Sequence, residues 1–214
     1  MSKENIELYT SMTEKYESRF VCNQDTDIVI EGFPRSANTF FVDYLSLNNT
    51  LKVAHHTHDN RNILLGIAFE VPSVVLVRNP LDAIISYSIY SGMKLENAAQ
   101  RYKNFYSSLI PLKKELICAE FSDVVNTPEL IVSLINERSS LKLKYSTDQS
   151  SDIALAKRKD IERAQKSRSA EDFIKTVGAP NAEREKTKMS LRDQAEDFIE
   201  ENPDLHDLYS EMCN

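Results

Sequence analysis

The chain predicts an α/β fold with a central parallel sheet, on three observations. The run Ile28-Val29-Ile30 is apolar and β-branched, breaks into Gly32-Phe33-Pro34-Arg35-Ser36, and resumes with helical spacing at Phe40, Phe41, Tyr44 and Leu45. A second run, Ser73-Val74-Val75-Leu76-Val77, has the unbroken apolar character of a strand buried on both faces of a parallel sheet, and passes into Arg78-Asn79-Pro80. From Leu95 the positions Ala98, Tyr102, Phe105, Leu109, Leu112 and Leu116 step by threes and fours, so strands and helices alternate. The 214 residues suffice for one core with a helical appendage: a single domain over residues 1–214, with its core at about 26–146 and a helical C-terminal part at about 152–214.

Taken in order, residues 5–20 read as a charged amphipathic helix and residues 27–31 as the first strand. Leu51 to His58 reads as the second strand, with residues 60–69 as the crossover to the third at 73–77. Asn79 suits an N-cap, Pro80 the first helical position and Asp82 the capping-box acid, so a helix runs from Pro80 through Tyr90 with Ser86 two turns in. The stripe from Leu95 predicts a long helix, its aromatics packed in the core, before a fourth strand at 116–121. Glu120-Phe121-Ser122-Asp123 follows with an acid at each end, and Ser146 to Asp152 is a polar, linker-like run. Beyond it lie two basic clusters, Lys157-Arg158-Lys159 with Arg163, Lys166 and Arg168, and Arg184 with Lys186 and Lys188; each reads as a solvated helix face or as cover for a ligand. Of the four glycines, Gly32 lets the backbone turn and approach a ligand, while Gly66, Gly92 and Gly178 mark helix interiors or ends.

The loop after the first strand nearly spells the nucleotide-gripping pattern of Gly, four residues, then Gly-Lys-Ser/Thr. Gly32 and Thr39 hold the outer places, but Ala37 and Asn38 replace the inner Gly and Lys. The lysine that reaches a γ-phosphate is absent, and Arg35 inside the loop supplies the charge beside the N–H groups that open the next helix. This points to a nucleotide other than ATP or GTP. Arg78 and Ser86, eight residues apart, suit a second phosphate, one by a bidentate charged contact and the other by a hydroxyl. Each loop alone is equally an ordinary capped turn. Both, however, fall at the C-terminal ends of predicted parallel strands, where open α/β sheets bind ligands. Three of the four histidines, His55, His56 and His58, crowd the end of the second strand. On an extended strand His56 and His58 share a face, which leaves open a metal pair, a general base or plain polar strand-end residues.

These segments resemble the sulfotransferases that use 3′-phosphoadenosine 5′-phosphosulfate. In that family a Pro-Lys/Arg-Ser-Gly-Thr-Thr loop holds the 5′-phosphosulfate; Pro34, Arg35, Ser36 and Thr39 match it, and Ala37 and Asn38 stand in its Gly and Thr places. Arg78 and Ser86 match the 3′-phosphate pair, and Thr57-His58 matches the Thr-His pair whose histidine is the general base. The resemblance covers about residues 26–92 and implies a P-loop NTPase-like three-layer α/β/α fold. It implies a sulfuryl transfer from that co-substrate to a hydroxyl of a carbohydrate or small metabolite by in-line displacement. His58 acts as base, Arg35 stabilises developing charge, adenosine 3′,5′-bisphosphate is the product and no metal is required. The family's Arg-Lys-Gly segment and Gly-x-x-Gly-x-Trp stretch have no counterpart, and the chain has no tryptophan. Two alternatives stand beside this reading: a P-loop small-molecule kinase, and a non-catalytic nucleotide-binding protein of the same fold.

Composition sets the remaining expectations. A net charge of −7 and a pI near 5.2 disfavour a nucleic-acid groove while allowing a local basic pocket. No apolar stretch approaches a membrane span and the N-terminus has no secretory core. Cys22, Cys118 and Cys213 form no framework, which fits a reducing cytoplasm.

Overall fold

The computed structural model describes residues 2–166 and 182–214. Arg168 and Gly178 lie outside them, as does the side chain of Arg184. A four-stranded parallel sheet, ordered β2-β1-β3-β4, forms the centre: β1 is Ile28–Gly32, β2 Val53–His55, β3 Ser73–Val77 and β4 Ile117–Glu120. All residues of β1 and β3 are buried, which is why β3 and the first three residues of β1 read as apolar runs.

Helices cover both faces. Ile28, Ile30, Val74 and Leu76 pack with α2 (Asn38–Asn48), α6 (Phe121–Asn126), α7 (Pro128–Arg138) and α8 (Gln149–Ala164). Val29, Val75 and Val77 pack on the other side. There they meet α1 (Lys3–Lys15), α3 (Asn60–Ala68), α4 (Pro80–Ser91), α5 (Leu95–Ser107), α9 (Ala182–Glu200) and α10 (Asp204–Cys213). The chain leaves β1 for β2 on one flank and returns to β3 on the other. The ends of β1 and β3 therefore flank the switch point at which such sheets form a crevice.

Several boundaries differ from expectation. The first helix stops at Lys15 and a short 3-10 turn, Ser18–Phe20, follows. The helix from Leu95 ends at Ser107, and a 3-10 turn over Ile110–Glu115 carries the chain to β4, because Pro111 has no N–H for a continuing helix. The polar run at Ser146 is a helix start: Asp148 accepts the N–H of Ser151 and caps α8. The largest departure is β2, which ends at His55; His56 (φ 66°) and His58 (φ 49°) are left-handed, so they do not share an extended strand face.

Gly32 also acts differently from expectation. Its φ is not positive; a Cβ there would stand 2.6 Å from the Leu76 carbonyl oxygen on β3 and 3.1 Å from Asn38 Oδ1. Close packing against the neighbouring strand, not a turn, requires the glycine.

Candidate functional site

The loop after β1 has an alternating backbone. Arg35 (φ 71°) and Ala37 (φ 68°) are left-handed, while Ser36 and Asn38 between and after them are not. Such alternation turns successive N–H groups toward one side and makes a concavity that suits an anion. The N–H of Ser36 donates to Phe33 O at 3.2 Å and closes the first turn, with Pro34 buried inside it. The loop feeds α2 through Ala37, and no side chain caps that helix, so its first N–H groups and the positive end of its dipole face the concavity. Ser36 is fully buried and Thr39 half-buried.

Asn38, in the place of the missing lysine, is 4% exposed, and among the described residues neither its Oδ1 nor its Nδ2 has a hydrogen-bond partner. A buried amide left in this state is costly, and it offers both a donor and an acceptor beside the concavity.

Arg78 follows β3 directly and reaches across to the loop. Its Nη1 donates to the carbonyl oxygen of Arg35 at 2.7 Å, its guanidinium lies 4.1 Å from the centre of the Phe121 ring, and its buried Nε has no partner among the described residues. The structure thus joins Arg35 and Arg78, which the sequence separates, by a bond between loops. Asn79 accepts the N–H of Leu81 and caps α4, as its place before Pro80 predicts. Ser86 lies two turns into α4 and is 3% exposed. Below the loops the Tyr106 hydroxyl donates to Leu76 O at 2.8 Å and accepts Phe33 N–H at 3.4 Å, tying the ends of β1 and β3 together.

The histidine turn is shaped by a residue to which sequence reasoning assigned no role. Glu31 is fully buried near the end of β1. Its Oε1 accepts Thr57 Oγ1–H at 2.6 Å, Thr57 N–H at 2.9 Å and Asn62 Nδ2–H at 2.9 Å, and its Oε2 accepts His58 N–H at 3.0 Å. Burial pushes this carboxyl up to about 7, against the pull of those donors. The signal was available: Glu31 is the one charged residue in an otherwise apolar strand, and such a residue needs partners.

The outcome for His58 is a defined ring orientation. Nδ1 lies 2.9 Å from Gly32 O, and because a carbonyl oxygen only accepts, Nδ1 carries the proton and Nε2 keeps a lone pair when the ring is neutral. Burial lowers the His58 pKa; the bond to Gly32 O opposes this, and Arg101 and Arg35 lower it further. The ring is therefore neutral at pH 7. His56 faces elsewhere: its Nε2 bonds Thr39 Oγ1 at 2.8 Å and its Nδ1 meets His55 Nδ1. Among the described residues no group of three His, Cys, Asp or Glu side chains is placed to hold a metal ion.

The basic clusters serve helix packing in part. Arg163 pairs with Asp43 and Lys159 Nζ reaches Ser46 Oγ at 3.3 Å, holding α8 on α2, while Arg158 pairs with Glu162 and Lys188 with Glu185 along their own helices. Glu120 accepts the Tyr209 hydroxyl at 2.7 Å and ties α10 to β4. Among the described residues no helix is long and apolar enough to cross a membrane. No protein-family model matches the chain, and no curated protein matches its sequence.

Proposed function

We propose that the chain is a sulfotransferase of P-loop-like architecture that takes 3′-phosphoadenosine 5′-phosphosulfate as donor and a hydroxyl of a carbohydrate or small metabolite as acceptor. The observation that carries this reading is the left-handed alternation at Arg35 and Ala37, locked by Arg78 to a second loop at the same end of the sheet. That pairing supplies two anion grips instead of one. The unpartnered Asn38 amide and Arg78 Nε, both buried, are polar groups that a bound anion would satisfy.

The donor supplies an activated sulfuryl group. In this reading the N–H groups of residues 35–39 and the Arg35 guanidinium hold its 5′ end and stabilise negative charge as it develops, and Arg78 with Ser86 holds the 3′-phosphate. His58, neutral and oriented through Nδ1, receives the acceptor's hydroxyl proton at Nε2. Glu31 does not touch reactants; it fixes where that imidazole stands. The absent lysine at position 38 weighs against ATP as the ligand. The three free thiols fit a cytoplasmic location.

Thermal shift tests the nucleotide. Adenosine 3′,5′-bisphosphate at a hundred times its Kd should stabilise the fold by about 2.7 kcal/mol, a rise of a few degrees, and Mg-ATP by much less. Equal or greater stabilisation by Mg-ATP overturns the reading. Transfer of labelled sulfate from the donor to pooled acceptors then separates an enzyme from a binding protein.

A further inference from the structure

Tied through Tyr87 and Phe33 to Gly32, whose carbonyl holds His58, is a cation to which neither donor binding nor the base assigns a role. Phe33, first residue after β1, packs edge-on against Tyr87 of α4 at 5.1 Å. The Tyr87 hydroxyl accepts Nη1–H of Arg101 from α5 at 2.6 Å, and the Arg101 guanidinium lies 5.3 Å from the centre of the same ring. Arg101 is exposed, and among the described residues it has no carboxylate partner and no other hydrogen bond. Four of its five N–H donors are thus unspent, on a planar fork held in place by a buried tyrosine. Next to it Tyr90, 45% exposed, lies 6.4 Å from Tyr87 and under the Arg35 guanidinium at 5.4 Å.

We propose that the acceptor is an anionic molecule, bearing a carboxylate or sulfate near its reacting hydroxyl, and that Arg101 reads this group beside the aromatic wall of Tyr87 and Tyr90. Three observations carry it. A tethered, unneutralised arginine is uncommon ground on a chain with a net charge of −7, and its fork matches the two oxygens of such an anion. The tether leads through Tyr87 and Phe33 to Gly32, the residue whose carbonyl holds His58. Arg101 also acts on His58 from a distance, since its charge helps to lower the imidazole pKa. A molecule that extends from Arg101 along this tether arrives at His58, which is the acceptor's side of the reaction.

The inference rests on the sulfotransferase reading, and the test separates the two. The protein is first saturated with adenosine 3′,5′-bisphosphate, then titrated by calorimetry with methyl β-D-glucuronide and with methyl β-D-glucoside, which differ in one carboxylate. The glucuronide should bind at least tenfold more tightly. Arg101→Gln should erase the preference, Arg101→Lys should keep part of it, and both should bind the bisphosphate as the parent does. Equal affinity for the two glycosides, no binding of either, or a preference that survives Arg101→Gln overturns this inference while the nucleotide reading stands. Failure of the bisphosphate itself to bind overturns the nucleotide reading, and this one with it.

Discussion

Glu31 Oε2 accepts the backbone N–H of His58 at 3.0 Å, so a carboxylate at the end of the first strand sets the position of an imidazole beyond the end of the second. The bond crosses 27 positions of sequence and is partly buried, and three further donors share the same carboxylate. Position and proton are thereby linked, because the state of Glu31 decides how firmly the turn is held.

The linkage gives a pH prediction. An unfolded glutamate ionises near 4.5 and the folded one near 7. Between those values the folded chain holds a proton that the unfolded chain has lost, so this group's contribution to stability falls as pH rises through the window. The loss should reach ~3 kcal/mol once ionisation is complete. Denaturant melts of the parent and of Glu31→Gln across pH 4.5 to 7.5 measure it: the parent should lose stability relative to the variant, and parallel curves refute the assignment.

Glu31→Gln should also loosen the turn. An amide nitrogen must then face either the Thr57 donors or the His58 N–H, and a group left unsatisfied there costs about 1–3 kcal/mol. Affinity for adenosine 3′,5′-bisphosphate should stay within about twofold, while the turnover of labelled sulfate transfer drops at unchanged donor KM. A variant with full turnover removes Glu31 from the positioning of His58.

His58→Ala should leave bisphosphate affinity nearly unchanged and reduce transfer by roughly 10²–10⁴. His56→Ala is the contrasting variant, since it removes the partner of Thr39 Oγ1 and leaves the His58 bond to Gly32 intact. It should act on donor binding more than on turnover. Loss of turnover in His56→Ala with retention in His58→Ala would move the base to the other ring.

Arg78→Ala should weaken bisphosphate binding in calorimetry and lower the melting temperature as well. Its bond to Arg35 O is charge-assisted and partly buried, in the class worth about 1.5–3 kcal/mol. Unchanged stability with unchanged affinity would show that the two loops stand without it.

Gly32→Ala should destabilise the fold by about 1–3 kcal/mol, because a Cβ 2.6 Å from the Leu76 carbonyl must push β1 from β3. Ala37→Gly should do the reverse by up to ~1 kcal/mol, since a left-handed residue loses the Cβ that disfavours that conformation. Thermal melts of both variants decide the pair.

What local sequence determines was legible in the sequence. The buried strands β1 and β3 follow from unbroken β-branched runs, and the start of α4 from Asn79-Pro80. The shape of the histidine turn was not legible, because a carboxylate 26 positions away from Thr57 dictates it and no local pattern encodes that distance. The same holds for Gly32, whose reason lies on the neighbouring strand, and for Arg101, which looks like any surface arginine of an amphipathic helix until Tyr87 is seen beneath it.

The bond from Arg78 to the carbonyl of Arg35 makes the two loops a single mechanical part. A shift of either loop strains or breaks that bond, so their relative position is fixed before any ligand arrives. If the two loops are the anion grips proposed above, their fixed spacing acts as a ruler: a molecule whose charges stand at the wrong separation keeps one contact and forfeits the gain of the second.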